Sequence, residues 1–232
     1  MDRGANDPDH TIHPGVNLAF DQRGEPYLRS IQQFALANSD YTDVGAFEVQ
    51  EQAAPIVTGV TINHGDAQRS MVWDIEVTFS IQVTLAAGAF TLTRVGLPNG
   101  VPGDNAAVGA ISVSTQVVNG QTVATLTFGG ANTTAGSLDD GNWTLTIDHT
   151  KVTATYGGTP MAADYTQTSI KRLFGDIDGD ADVDLLDLNA FSGALFSVAG
   201  DPNYVRAFDY EGDGDIDLLD LNQFQSRLFA TV

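Results

Sequence analysis

The stretch Asp176-Ile177-Asp178-Gly179-Asp180-Ala181-Asp182-Val183-Asp184-Leu185-Leu186-Asp187 is repeated 33 residues later as Asp209-Tyr210-Glu211-Gly212-Asp213-Gly214-Asp215-Ile216-Asp217-Leu218-Leu219-Asp220. Both twelve-residue stretches carry an acid at positions 1, 3, 5, 7, 9 and 12. Over the twenty-two positions that start at Asp176 and Asp209, thirteen residues are identical, including Leu188, Asn189, Phe191, Leu195 and Phe196 beyond the first loop. An acid-rich run alone reads as a solvated surface, whereas two copies in register read as a duplicated unit. Six carboxylates so close together repel one another unless a divalent ion compensates them, so each unit is expected to be loosely folded without its ion.

The donor spacing is that of a twelve-residue EF-hand loop, in which positions 1, 3 and 5 give carboxylates, position 7 a backbone carbonyl, position 9 a water-bridged ligand and position 12 a bidentate carboxylate. The candidate metal-ligating residues are therefore Asp176, Asp178, Asp180, Asp182, Asp184 and Asp187 in one loop, and Asp209, Glu211, Asp213, Asp215, Asp217 and Asp220 in the other. Calcium accepts six to eight oxygens in loose geometry while magnesium demands a strict octahedron, so two Ca2+ ions are expected. Val183 and Ile216, at position 8, are expected to join the two loops by a short β-bridge. Helices are expected after position 12, over 188–197 and 221–230, with apolar stripes at Leu188, Phe191 and Leu195 and at Leu221, Phe224 and Leu228. The pairs Leu185-Leu186 and Leu218-Leu219 either stand exposed as apolar anchors for a partner or help close the two-helix core.

These two loop-plus-helix units, the first opening directly after Arg172-Leu173-Phe174-Gly175, resemble a type I dockerin over 174–231. The resemblance implies docking to a cohesin-like module on another protein, an extracellular or cell-surface location, and a link to polysaccharide degradation or adhesion. It also implies that loop positions 10 and 11, here Leu185, Leu186, Leu218 and Leu219, contact the partner, with approximate two-fold symmetry offering two similar faces. The sequence departs from the family where Ala181 replaces a position-6 glycine, where Glu211 stands at position 3, and where leucines replace the usual Ser-Thr pair.

Charge marks the boundary of this module. Residues 174–232 hold 13 acids and 2 bases, and residues 1–173 hold 17 acids and 8 bases, which together make the net charge of −20 on 232 residues. So acidic a surface disfavours nucleic acid and anionic lipid. No apolar run is long enough to span a membrane, so no membrane insertion is expected. The absence of cysteine removes thiolate metal sites, disulfides and a cysteine nucleophile, leaving oxygen ligands. The start of the chain lacks an apolar signal core, so either the protein is cytoplasmic or it is a fragment of a longer secreted chain.

Upstream, residues 53–168 read as β. Trp73, Ile75, Val77, Phe79, Ile81, Val83 and Leu85 alternate with polar residues, which describes a half-buried strand or a bent pair of strands. Further strands are expected over 56–62, 90–95, 111–118, 122–128, 143–149 and 152–156, with Asn119-Gly120 as a type I′ hairpin turn. Seven or eight strands without helical periodicity suit an immunoglobulin-like β-sandwich, so the expected fold class is mainly β with a small α C-terminal domain. Because its strands carry their own alternation, this region is expected to melt independently of the tail.

Residues 1–52 combine short apolar clusters with turn chemistry. Asp21-Gln22-Arg23-Gly24 and, later, Asp43-Val44-Gly45-Ala46-Phe47-Glu48 resemble the closing segment of bacterial surface parallel β-helix proteins, the alternative being an irregular extension. His10 and His13 flank no helix that could align them, and the chain has no HExxH, GxSxG or P-loop string. No intrinsic enzyme activity is expected. The alternative function is the C-terminal fragment of a polysaccharide-active β-helix lyase or hydrolase whose catalytic rungs lie upstream.

Overall fold

The computed structural model describes residues 53–232, so the expectations for 1–52 lie outside the described residues. The chain is mainly β with a small α tail. Its strands are β1 (Val57–Ile62), β2 (Asp74–Phe79), β3 (Val83–Leu85), β4 (Phe90–Leu97), β5 (Val101–Pro102), β6 (Ala110–Val118), β7 (Gln121–Gly129), β8 (Thr133–Thr134), β9 (Ser137–Leu138), β10 (Gly141–Ile147), β11 (Val152–Ala154) and β12 (Tyr165–Arg172). Two helices follow, α1 (Leu185–Ala194) and α2 (Leu218–Gln225).

Two antiparallel sheets, in strand orders β1-β2-β7-β6 and β12-β10-β4-β5, close over one core. Period-two alternation directs Ile75, Val77 and Phe79 of β2 and Ala124 and Leu126 of β7 toward Leu92 of β4 and Trp143, Leu145 and Ile147 of β10. The run that begins at Trp73 is a bent pair: it breaks after Phe79, and β3 leaves the sheet to pair with β11. Asn119 and Gly120 both take positive φ, 52° and 80°, and set the β6–β7 register. Trp143 is fully buried, and its indole N–H donates to the Asp139 carbonyl at 2.9 Å. Trp73 sits outside this core, half-buried against the tail, with the Arg206 guanidinium 4.3 Å from its ring centre.

Strand β12 runs through the expected boundary at residue 168 and delivers Arg172 directly to Leu173 and Phe174 of the tail core. It was not expected as a strand, because Thr166, Thr168 and Lys171 weaken its hydrophobic signal; pairing with β10 makes it. Both helices begin at loop position 10 and not after position 12, since Asp184 and Asp217 cap them. Phe191, Phe208 and Phe224 meet at the centre of the tail, with Phe191 ring centres 5.0 Å from Phe208 and 4.7 Å from Phe224.

Position 8 does not join the loops to each other. Val183 of the first loop pairs with the chain after α2, where Phe229 N donates to Val183 O at 2.6 Å and Val183 N to Ala230 O at 3.0 Å. Ile216 of the second loop pairs with the chain after α1, through Phe196 N to Ile216 O at 2.7 Å and Ile216 N to Ser197 O at 2.9 Å. Each loop thus closes on the segment that leaves the other helix. The cause is the turn after each helix, where Phe196 and Phe229 take left-handed φ of 65° and 67° and send the chain back across the partner unit.

The tail is built onto the β region. Met71 belongs to the tail core, Arg69 N donates to Asp176 O at 2.9 Å, and the Ser70 hydroxyl donates to Ala207 O and accepts from Gly175 N. Gly179 lies so close to the β region that a Cβ there would stand 2.1 Å from Ala67 O. Only glycine is accommodated at that loop position.

Candidate metal centres

The two loops are pulled into shape by their first and last acids. Asp176 is fully buried, and its carboxylate accepts from Gly179 N at 2.7 Å and Ala181 N at 3.0 Å. Asp209 does the same for Gly212 N, Asp213 N and Gly214 N, and also accepts the Tyr204 hydroxyl at 2.8 Å. At position 12, Asp187 accepts from Ile177 N and Asp184 N, and Asp220 from Tyr210 N and Asp217 N. A carboxylate that gathers backbone N–H groups from both ends of a loop closes it into a ring, which is why position 12 is buried.

Three groups of acids have ligand atoms within 4.8 Å of one another: Asp176, Asp178 and Asp187; Asp182, Asp184 and Asp187; and Glu211, Asp217 and Asp220. Asp180, Asp209, Asp213 and Asp215 lie on the same loops but outside these groups. Asp184 and Asp217, expected as water-bridged ligands, also cap their helices by accepting from Leu186 N and Leu219 N at 2.6 Å each. Position 7 was expected to act through its carbonyl. Its side chains carry oxygens that the protein leaves without a donor: Asp182 Oδ1 and Asp215 Oδ1 are buried without a hydrogen-bond partner, as is Glu211 Oε1.

Buried carboxylate oxygens without a donor are costly. Burial, with the neighbouring acids adding to it, pushes Asp176 up to about 6 and Glu211 up to about 7, and raises Asp182, Asp187, Asp215 and Asp220 above the usual carboxyl range. Carboxylate oxygens gathered within 4.8 Å of one another on both loops, with no nitrogen or sulfur donor among them, fit a hard divalent cation. Acidic groups able to hold a metal ion are thus present in both halves of the tail.

The leucine pairs stand in the open. Leu185 and Leu186 are 62% and 68% exposed, Leu218 and Leu219 are 61% and 62% exposed, and none of the four closes the two-helix core. Sequence reasoning missed Phe196 and Phe229, exposed at 71% and 69%, although the internal repeat carries both. It also missed Tyr204 as a hydroxyl donor to Asp209, for which spacing offers no signal. A further cluster on the β region, Asp148, His149 and Asp164, is occupied internally: Asp148 holds Thr150 N, and Asp164 holds His149 N and Nδ1.

Comparison with protein-family models, with curated proteins and with solved structures finds no match to the chain.

Proposed function

We propose that residues 174–231 are a calcium-dependent docking module of the dockerin kind, carried on an immunoglobulin-like sandwich over 53–168. In this reading the chain is the non-catalytic anchoring end of a secreted or cell-surface protein connected with polysaccharide degradation or adhesion. The observation that carries it is the repeated loop in which buried acid oxygens lack a donor. Asp176, Asp178, Asp182, Asp184 and Asp187, with Asp180 nearby, would hold one ion, and Glu211, Asp217 and Asp220, with Asp209, Asp213 and Asp215 nearby, the other. Bound calcium supplies the positive charge that offsets repulsion among these acids. The loops themselves set the first turn of each helix and so hold the two leucine pairs outward, where a cohesin-like surface of apolar character can cover them.

Calorimetric titration of the full chain tests the first half of this reading. Two calcium ions should bind, with magnesium a poor substitute; absence of saturable calcium binding at millimolar concentration overturns it. The second half is tested by replacing all four leucines with aspartate, which should leave folding and calcium binding intact while removing capture by a cohesin module.

A further inference from the structure

Strand β6 occupies the edge of its sheet and has no strand on its outer side among the described residues. The two-residue turn at Asn119-Gly120 makes Val118 and Gln121 a hydrogen-bonded pair, so Thr122 and Val117 form a non-bonded one, and Thr122 N indeed points away, to Ile81 O. Hence the backbone N–H and C=O groups of Ile111, Val113, Thr115 and Val117 face outward, and none has a partner among the described residues. The same four residues lie opposite Phe128, Leu126, Ala124 and Thr122, whose side chains are buried, so they share the core-facing side of the sheet. The second sheet does not reach far enough to cover them. Val113 and Val117 are 44% and 58% exposed, and a groove of about 580 Å³ opens between Ile111, Val113, Thr115 and residues 83–90.

Edge strands in soluble proteins are ordinarily shielded by charge, proline, a bulge or shortness. β6 has nine residues and none of these devices. Residues 105–138 contain no Asp, Glu, Lys, Arg or His, in a chain of net charge −20. The hairpin thus carries none of the chain's many acids, so two identical chains can meet along it without like charges opposing each other.

We propose that β6 pairs antiparallel with β6 of a second copy, about a two-fold axis at Ser114, making one eight-stranded sheet across the dimer. That register opposes Ile111 to Val117 and Val113 to Thr115 of the second copy, joins only outward-facing backbone groups, and continues the apolar inner face from one copy to the other. An antiparallel arrangement is self-complementary, as a two-fold interface requires. A charged foreign strand finds no opposite charge on β6 to pair with, whereas a second copy brings an equally uncharged strand, which is why a second copy is the occupant argued for.

The chain has no cysteine, which permits a single-site test. At the axis the two Ser114 residues form a non-bonded antiparallel pair with Cα atoms about 4.5 Å apart, within disulfide range. The full chain should sediment as a dimer in both calcium and chelator, more completely at higher salt. Ser114→Cys should form a covalent dimer under mild oxidation, while Ser112→Cys, displaced roughly 14 Å from its own copy in this register, should not. Val113→Lys combined with Val117→Lys should give a monomer with an unchanged circular dichroism spectrum. A wild-type chain that is monomeric at about 100 µM overturns the proposal. So does equal cross-linking at 112 and 114, which means random collision, and so does a monomer whose 111, 113, 115 and 117 amides resist hydrogen exchange, which means that another part of the same chain covers the edge.

Discussion

Arg227, just beyond α2, donates through Nε to Asp140 Oδ2 at 2.5 Å, although 87 residues separate them. Asp140 stands at the mouth of β10, where it also holds the Arg172 guanidinium and accepts from Phe174 N at 2.8 Å. One carboxylate therefore ties the end of the β region, the start of the tail and the last helix together. Burial would raise the Asp140 carboxyl, but the two guanidinium groups outweigh it and hold it below the usual range.

This joint, with Met71 inserted in the tail core, alters the expectation of independent melting. Calcium should shift the melting of the β region along with that of the tail, read separately through Trp143 fluorescence in a Trp73→Phe background and through helical circular dichroism. Asp140→Ala leaves the buried Arg172 guanidinium and the half-buried Arg227 guanidinium without their carboxylate and should cost on the order of 3 kcal/mol. It should also split the melt into two steps, of which only the tail step responds to chelator. A β-region transition that ignores calcium in the unmodified chain would show that the joint transmits nothing.

The same carboxyl sets a pH dependence. Its folded pKa lies below the ordinary value of 3.8, so its contribution to stability is complete above that value and is lost as pH falls through the depressed one. The stability gap between the wild type and Asp140→Asn should be constant from pH 7 to pH 5 and close below about pH 4. Urea melts at each pH measure it, and a gap that already narrows between pH 7 and pH 5 assigns the effect to other groups.

Loop closure by position 12 predicts separable sites. Asp187→Ala should reduce calorimetric stoichiometry from two calcium ions to one, Asp220→Ala should do the same in the other half, and the double variant should bind none. Because each loop closes on the chain leaving the other helix, each single variant should also lower the affinity of the remaining site by several-fold. Unchanged affinity there would mean that the cross-pairing at Val183 and Ile216 carries no coupling.

Ala181 takes φ of 80°, where its counterpart Gly214 takes 96°. A Cβ in the left-handed region is strained, so Ala181→Gly should stabilise the tail by about 0.5–1 kcal/mol and raise the affinity of the first site, and Gly214→Ala should do the reverse at the second. Thermal melts with and without calcium distinguish the backbone effect from the ligand effect.

Gly179 answers to contact and not to φ alone. Gly179→Ala places a methyl group against the Ala67 carbonyl and should loosen the tail from the β region, seen as increased hydrogen exchange at Arg69 and Leu173, whose amides bond across that seam.

What the sequence determined by itself is local and periodic. The alternation from Trp73 to Leu85, the Asn119-Gly120 turn and the doubled acid spacing each encode geometry within a few residues: which face a side chain takes, where φ is positive, which oxygens share a loop. The burial of Asp187 and Asp220 follows from the same locality, since a position-12 carboxylate reaches amides of its own loop. What only the tertiary structure decided is closure between distant segments. That Val183 pairs beyond α2 and not with Ile216, that β12 becomes a strand because β10 offers it a partner, that Asp140 joins the β region to the tail, and that the second sheet stops short of β6, all depend on which surfaces meet once the cores have formed. No spacing rule carries that information, because burial is a property of the space between segments and each segment supplies only half of it.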